Sequence, residues 1–141
     1  MLRVTSEVLE QMVRHCLDGR PEEACGLLGG TADGDAVEVS VCYPGRNVAA
    51  SATLYELDPK DHLLADRDAE TRGLEIVGVF HSHTHTEAYP SPTDVARAPD
   101  PGWHYVLVSL RDTEPIVRSF RIVEETITEE TLETLAMTGD L

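Results

Sequence analysis

The run Leu74-Glu75-Ile76-Val77-Gly78-Val79-Phe80 passes without a break into His81-Ser82-His83, and this junction constrains the fold more than any other stretch. An apolar run of this length, rich in β-branched residues, reads as a strand buried on both faces. Side chains two apart on a strand point the same way, so His81 and His83 are directed to one side of a sheet. The chain must therefore carry a strand through its interior and end it in two imidazoles aimed at a common point.

The next residues offer a third ligand from a different element. Ser91-Pro92-Thr93-Asp94 has the form of a helix start, with Ser91 as N-cap, Pro92 at the first helical position and Asp94 three residues on, a variant of the capping box. Residues three apart on a helix are neighbours, so the Ser91 hydroxyl and the Asp94 carboxylate can face one cavity. Two His and one carboxylate around zinc leave a fourth position for water, as catalytic rather than structural sites do. Water held there has a pKa lowered to about 7. A bare His-x-His is weak evidence, and Ser-Pro-Thr-Asp alone is ordinarily only a cap; their succession behind a buried strand is what carries information. His85 extends the alternation and could supply a third imidazole ligand, but the Glu-Ala-Tyr-Pro loop ends the strand, so it reads as a residue beside the ligands or on the substrate side.

Hydrolysis at such a site also needs a carboxylate to take a proton from water and return it to the leaving group. Glu22, Glu23 and Glu87 are all possible, each of them equally readable as a solvated surface charge. Glu23 alone immediately precedes a buried strand.

The pattern His-x-His, seven residues, Ser, two residues, Asp resembles the JAMM (MPN+) zinc metallopeptidase motif, residue for residue at His81, His83, Ser91 and Asp94. Glu23-Ala24-Cys25-Gly26-Leu27-Leu28-Gly29 is similar to the segment that carries the family's glutamate. The resemblance spans roughly residues 3 to 123; Thr84 stands where many relatives have Pro. It implies an MPN/JAMM (cytidine-deaminase-like) fold, Zn2+ on His81, His83 and Asp94, Glu23 as general acid/base, and Ser91 stabilising the oxyanion. It further implies hydrolysis of the amide after the C-terminal Gly-Gly of a ubiquitin-like protein. The string from His83 to Asp94 looks like that of small bacterial hydrolases releasing cysteine from a sulfur-carrier protein. The short stretch from Asp94 to Trp103 leaves little room for the insertions that grip a second ubiquitin. A deubiquitinase-like isopeptidase and a non-catalytic MPN interaction module are the alternatives; the intact ligand set argues against the module. The metallo-β-lactamase string His-x-His-x-Asp-His fails, because His85 and Thr86 stand where it needs Asp and His.

At 141 residues and 41% hydrophobic content, the chain is expected to bury one core. The expected division is a metallopeptidase domain over 1–123 and an acidic segment over 124–141, either a frayed helix or a tail. No run approaches the ~20 apolar residues that span a bilayer, and Met1 to Glu7 lacks a signal-peptide pattern, so no membrane partner and a cytoplasmic location are expected. Three cysteines without close pairs are expected to be reduced core residues, though a catalytic role for Cys25 is formally open. A net charge of −15 with one lysine, Lys60, argues against a nucleic-acid partner. A homodimer is compatible with this reading.

An apolar stripe at helical spacing, Val8, Leu9, Met12, Val13, Cys16 and Leu17, predicts a helix from about Ser6 until Gly19 and Pro21 stop it. Ala24–Gly30 and Val37–Tyr43, joined through Asp33-Gly34, predict a hairpin. Pro44 to Ser51 reads as a loop and 53–57 as a short extended segment. A second helix is expected from Asp58-Pro59 to near Gly73, with further strands over 105–110 and 116–123. Together these predict an α/β chain of the α+β kind, a mixed β-sheet flanked by helices.

Overall fold

The computed structural model describes residues 1–136. Eleven elements follow in order: β1 (Leu2–Thr5), α1 (Ser6–Gly19), β2 (Cys25–Asp33), β3 (Ala36–Gly45), α2 (Pro59–Thr71), β4 (Glu75–His83), α3 (Pro92–Ala96), β5 (His104–Ser109), β6 (Ile116–Val123), β7 (Thr126–Glu130) and β8 (Leu132–Leu135). The expected mixed sheet is present, eight strands in the order β7-β6-β5-β4-β2-β3-β1-β8. Its pairs are antiparallel except β4 with β5 and β1 with β3 and β8.

The helices begin where the capping chemistry dictates. Thr5 accepts from the N–H of Val8 and opens α1; Asp58 accepts from Lys60 and opens α2, with Pro59 at the first helical position. The β2–β3 hairpin forms as expected, and its turn uses Gly34 at φ +64°.

The two faces of β4 serve different neighbours. Phe80 joins the buried cluster of Val8, Met12 and Cys16 from α1 with Val106 and Val108 from β5. Val79 packs with Leu27, Tyr105 and Ala65 of α2 on the other side. By strand alternation, His81 and His83 lie on the Val79 side, away from α1. Among the described residues no helix is long and apolar enough to cross a membrane.

The segment 124–141 is expected as a frayed helix or tail; residues 126–135 of it instead enter the sheet, and 137–141 lie outside the described residues. Glu124 and Glu125 take φ of 49° and 67°, as the two central positions of a type I′ hairpin turn require, and β7 pairs antiparallel with β6. One residue, Thr131, then separates β7 from β8, although the two stand at opposite ends of the strand order. A flat eight-stranded sheet is roughly 33 Å wide, and one residue spans about 3.5 Å. The sheet must therefore curl until its ends meet, and Thr131 marks the meeting place by accepting from the N–H of Leu2 at 2.9 Å. The sequence reading also passed over β1, a four-residue strand paired in parallel on both sides.

Beside this junction a buried polar cluster joins three strands. The Glu130 carboxylate accepts from His104 Nδ1 at 2.6 Å and Ser119 Oγ at 2.8 Å, and lies 3.3 Å from the amine of Met1. Burial tends to raise the Glu130 pKa, but the hydrogen bonds from His104 and Ser119 outweigh it and hold the carboxyl below its ordinary value. A carboxyl depressed in the folded state contributes stability above its unfolded pKa, about 4.3, and loses it as pH falls through the lower folded value. The urea midpoint is expected to fall from about pH 5 downward, and Glu130→Gln to flatten that decline while lowering the midpoint at pH 7. Equal acid sensitivity in the two proteins would show that the cluster does not govern it.

Candidate metal centre and its surroundings

The C-terminal end of β4 brings two imidazoles to one point. His81 Nε2 and His83 Nε2 lie 3.2 Å apart, and Asp94 Oδ2 lies 3.2 Å from the first and 3.0 Å from the second. A tetrahedral ion with ligand bonds of about 2.0–2.1 Å has ligand-to-ligand edges of about 3.3–3.4 Å. The observed triangle has nearly that size, so the three residues form a group that can hold a metal ion.

Each donor is held from behind. His83 Nδ1 donates to the carbonyl oxygen of Glu87 at 2.9 Å, which leaves Nε2 with its lone pair toward the triangle. Ser109 Oγ donates to the carbonyl of Thr86 at 2.6 Å and pins the same loop to β5. Asp94 is oriented by the capping box expected from the sequence: its N–H donates to Ser91 Oγ at 3.1 Å, and Oδ2 accepts from the N–H of Ser91 at 2.8 Å. As acceptor for the cap, the Ser91 hydroxyl keeps its own proton available for donation. His81 lies under the ring of Tyr55, stacked at 4.4 Å between centroids and 26° between planes.

Glu23 is placed by strand register. Cys25 pairs with His81 in the antiparallel β2–β4 ladder, and the pairing is extended by Ser82 N–H to the carbonyl of Ala24 at 3.0 Å and by Ala24 N–H to Ser82 Oγ at 2.9 Å. One step further, this register sets Glu23 across from His83, on the face that carries both imidazoles. Glu23 is 5% exposed, and its Oε1 has no hydrogen-bond partner among the described residues. Of the other two glutamates, Glu22 is exposed, and Glu87 is exposed while contributing its main-chain carbonyl. His85 is also exposed, paired with Thr84 Oγ1 at 2.9 Å and outside the triangle.

The electrostatics separate these groups. Burial pushes the Glu23 carboxyl up to about 7, with His83 opposing and Asp94 adding to the rise. Burial raises Asp94 too, but hydrogen bonds to His81 and His83 overcome it and hold this carboxyl far below the usual range. His81 is lowered, chiefly by burial, against the pull of Asp94; for His83 the opposing burial is outweighed by Asp94 and the Glu87 carbonyl, so it is raised. Burial pushes the thiols of Cys16, Cys25 and Cys42 up to about 12, which leaves no activated thiolate, and all three are free.

An apolar groove opens beside Asp94. Leu27, Leu57, Val79 and Trp103 line its base, with Tyr55 toward the triangle and Arg97 at the rim. The sequence reading did not single out Tyr55, Ser82 or Asn47, which donates to the carbonyl of Glu23 at 2.9 Å. Partners that the fold supplies, the His81 ring for Tyr55 and main-chain groups for Ser82 and Asn47, give these residues their place, so no local pattern announces them.

The chain is similar to known proteins over most of its length. Residues 5–123 match the family described as prokaryotic homologs of the JAB domain. A protein of Mycobacterium tuberculosis named CysO-cysteine peptidase is 42% identical over 131 residues, covering 92% of this chain and 88% of that protein. A Haloferax volcanii protein named desampylase is 35% identical over 113 residues, covering 77% of this chain and 80% of its own. The solution structure of a Desulfitobacterium hafniense protein superposes with a TM-score of 0.90 at 36% identity, covering 97% of this chain and 94% of that one.

Replacing Ser82 by Ala leaves the buried N–H of Ala24 without its acceptor, which costs about 1–3 kcal/mol. Ser82→Ala is therefore expected to lower unfolding stability by that amount in urea titration. A loss below about 0.5 kcal/mol would mean that the bond to Ala24 is not needed to hold this end of the β2–β4 ladder.

Proposed function

The chain belongs to the prokaryotic homologs of the JAB domain, and we propose that it is a zinc-dependent peptidase that cleaves the amide after the C-terminal Gly-Gly of a ubiquitin-like sulfur-carrier protein, releasing cysteine or a short adduct. The enzyme is a hydrolase, as its relatives' names indicate. The observation that carries the mechanism is the convergence of His81, His83 and Asp94 with a buried carboxylate set across from them. The substrate class rests on the 42% identity, over nearly the whole chain, to the CysO-cysteine peptidase.

His81, His83 and Asp94 are the residues that hold the metal. When bound there, zinc supplies Lewis acidity that lowers the pKa of water toward neutrality. Glu23 takes the proton of the attacking water; a carboxyl raised toward neutrality is suited both to accept it and to return it to the leaving nitrogen. The Ser91 hydroxyl, free to donate, faces the carbonyl oxygen on which negative charge develops. The groove bounded by Tyr55 and Arg97 holds the extended tail of the carrier, with its glycines next to Asp94, where the absence of side chains lets the tail's main chain approach the site closely.

Glu23→Gln is expected to keep the fold and the metal while losing about a hundredfold or more in kcat, whereas His83→Ala and Asp94→Ala lose metal and turnover together. Ser91→Ala separates two roles: loss of the cap alone costs about 1 kcal/mol of stability, while loss of an oxyanion donor costs about a hundredfold or more in kcat. Metal content and single-turnover rates measured on the same samples check each assignment. A Glu23→Gln enzyme with near-normal rates would remove Glu23 from the chemistry.

The desampylase relative makes isopeptidase action the competing reading. Incubation with a carrier ending in Gly-Gly-Cys and with lysine-linked conjugates, with products identified by mass, distinguishes the two. Cysteine release is expected to be the faster reaction, and replacing the carrier's last Gly by Val is expected to block it. Preferential cleavage of the lysine-linked conjugate would overturn the sulfur-carrier assignment.

A further inference from the structure

The segment 53–57 between β3 and α2 belongs to no strand, yet it walls the groove and places Tyr55 on His81. Much of its anchorage comes from one side chain. Asn47 Nδ2 donates to the carbonyls of Glu23 at 2.9 Å and Leu54 at 3.1 Å, and Oδ1 accepts from the N–H groups of Ala49 at 3.0 Å and Glu56 at 2.8 Å. A carboxamide offers two N–H donors and two principal acceptor positions, so its capacity is used in full. The main chain closes the same loop through Val48 N–H to Glu56 and Asp58 N–H to Arg46, both at 2.9 Å, and Glu23 N–H donates to Ser51 at 2.8 Å.

The two candidate ligand histidines differ in how they are held. His83 has the Glu87 carbonyl behind it, while His81 Nδ1 has no hydrogen-bond partner among the described residues. A metal-ligating imidazole is ordinarily oriented by a hydrogen bond on its second nitrogen. For His81 it is the stacked Tyr55 ring that restrains the imidazole, by covering its face, and Tyr55 lies between Leu54 and Glu56, both tied to Asn47.

We propose that Asn47 is a positioning residue of this active site: its carboxamide ties the main chain of Glu23 to the Tyr55 segment, fixing the carboxylate and the cover of His81 relative to one another. The inference rests on the peptidase reading for its kinetic consequence, not for its geometry. Displacing a reacting group by about 1 Å can cost a hundredfold in rate. Tying a carboxylate and a ligand cover to one side chain therefore has a direct kinetic meaning.

Two substitutions divide the tie. Asn47→Asp keeps both acceptor bonds to Ala49 and Glu56 and loses both donations, including the one to Glu23; Asn47→Ala loses all four. In the zinc-loaded full chain acting on the carrier ending in Gly-Gly-Cys, Asn47→Asp is expected to lower kcat about tenfold to a hundredfold with KM changed less than about twofold. Asn47→Ala is expected to lower kcat similarly and also raise KM several-fold, since the groove wall loosens. Amide hydrogen exchange supplies a readout independent of activity. Protection of the Glu56 N–H is expected to persist in Asn47→Asp and to fall at least about tenfold in Asn47→Ala.

Rates within twofold of wild type in Asn47→Asp, or unchanged Glu56 protection in Asn47→Ala, overturn the proposal. If Asn47→Ala does not fold, the split between kcat and KM in Asn47→Asp decides alone. A wild-type protein that leaves the carrier adduct intact overturns the substrate reading instead, and Asn47 is then judged on Glu56 exchange.

Discussion

The register of β2 against β4 is the constraint on which the site depends. Cys25 opposite His81, prolonged by the exchange between Ala24 and Ser82, fixes where Glu23 stands relative to both imidazoles. A slip of one residue would turn every side chain of β4 to the other face and carry His81 and His83 into the core under α1. Packing guards against that slip, because Phe80 fills the α1 side and Val79 the α2 side. Ser82, facing neither groove nor solvent, uses its hydroxyl to hold the last step of the ladder at Ala24, one residue before β2 begins.

Within this frame two carboxylates share one cleft and are driven apart. Asp94, with its capping-box bond and two imidazole partners, is held as an anion suited to a cation. Glu23, buried with one oxygen unpartnered, has its proton affinity raised toward neutrality. Environments that separate otherwise similar groups in this way are how one fold assigns distinct acid–base roles. The difference arises from what lies behind each group: a helix terminus behind Asp94, and the apolar end of a strand behind Glu23.

Much of this was legible in the sequence because it is local. His81 and His83 are two apart on an apolar run, and Ser91 to Asp94 carry a cap in four residues, so periodicity and turn chemistry announce the candidate ligand triangle. The first helix and the β2–β3 hairpin are visible for the same reason. Asn47 and Tyr55 are not, since a lone Asn in a loop gains meaning only when Glu23, Leu54 and Glu56 arrive beside it. The last two strands stayed hidden because Glu124-Glu125 adopts left-handed φ without the Gly or Asn that normally signals such a turn, and because β7 and β8 are dense in glutamate. Tertiary pairing overrides weak strand propensity there.

The position of that acidic ribbon gives its charge a use. β7 and β8 are the outermost strands at the two ends of the sheet, where unpaired main-chain groups could template the addition of a foreign strand. Glu129 and Glu133 lie on these strands, Glu129 tied to Arg118 and Glu133 near Arg3, so charged pairs that would have to be desolvated stand beside both outer edges and disfavour the addition of a foreign strand. Should the ribbon detach, β6 and β1 lose their cover together, and a single local opening turns a self-limited sheet into one with two adhesive margins. Resistance to aggregation in this protein is therefore set by how firmly its last described ten residues are held.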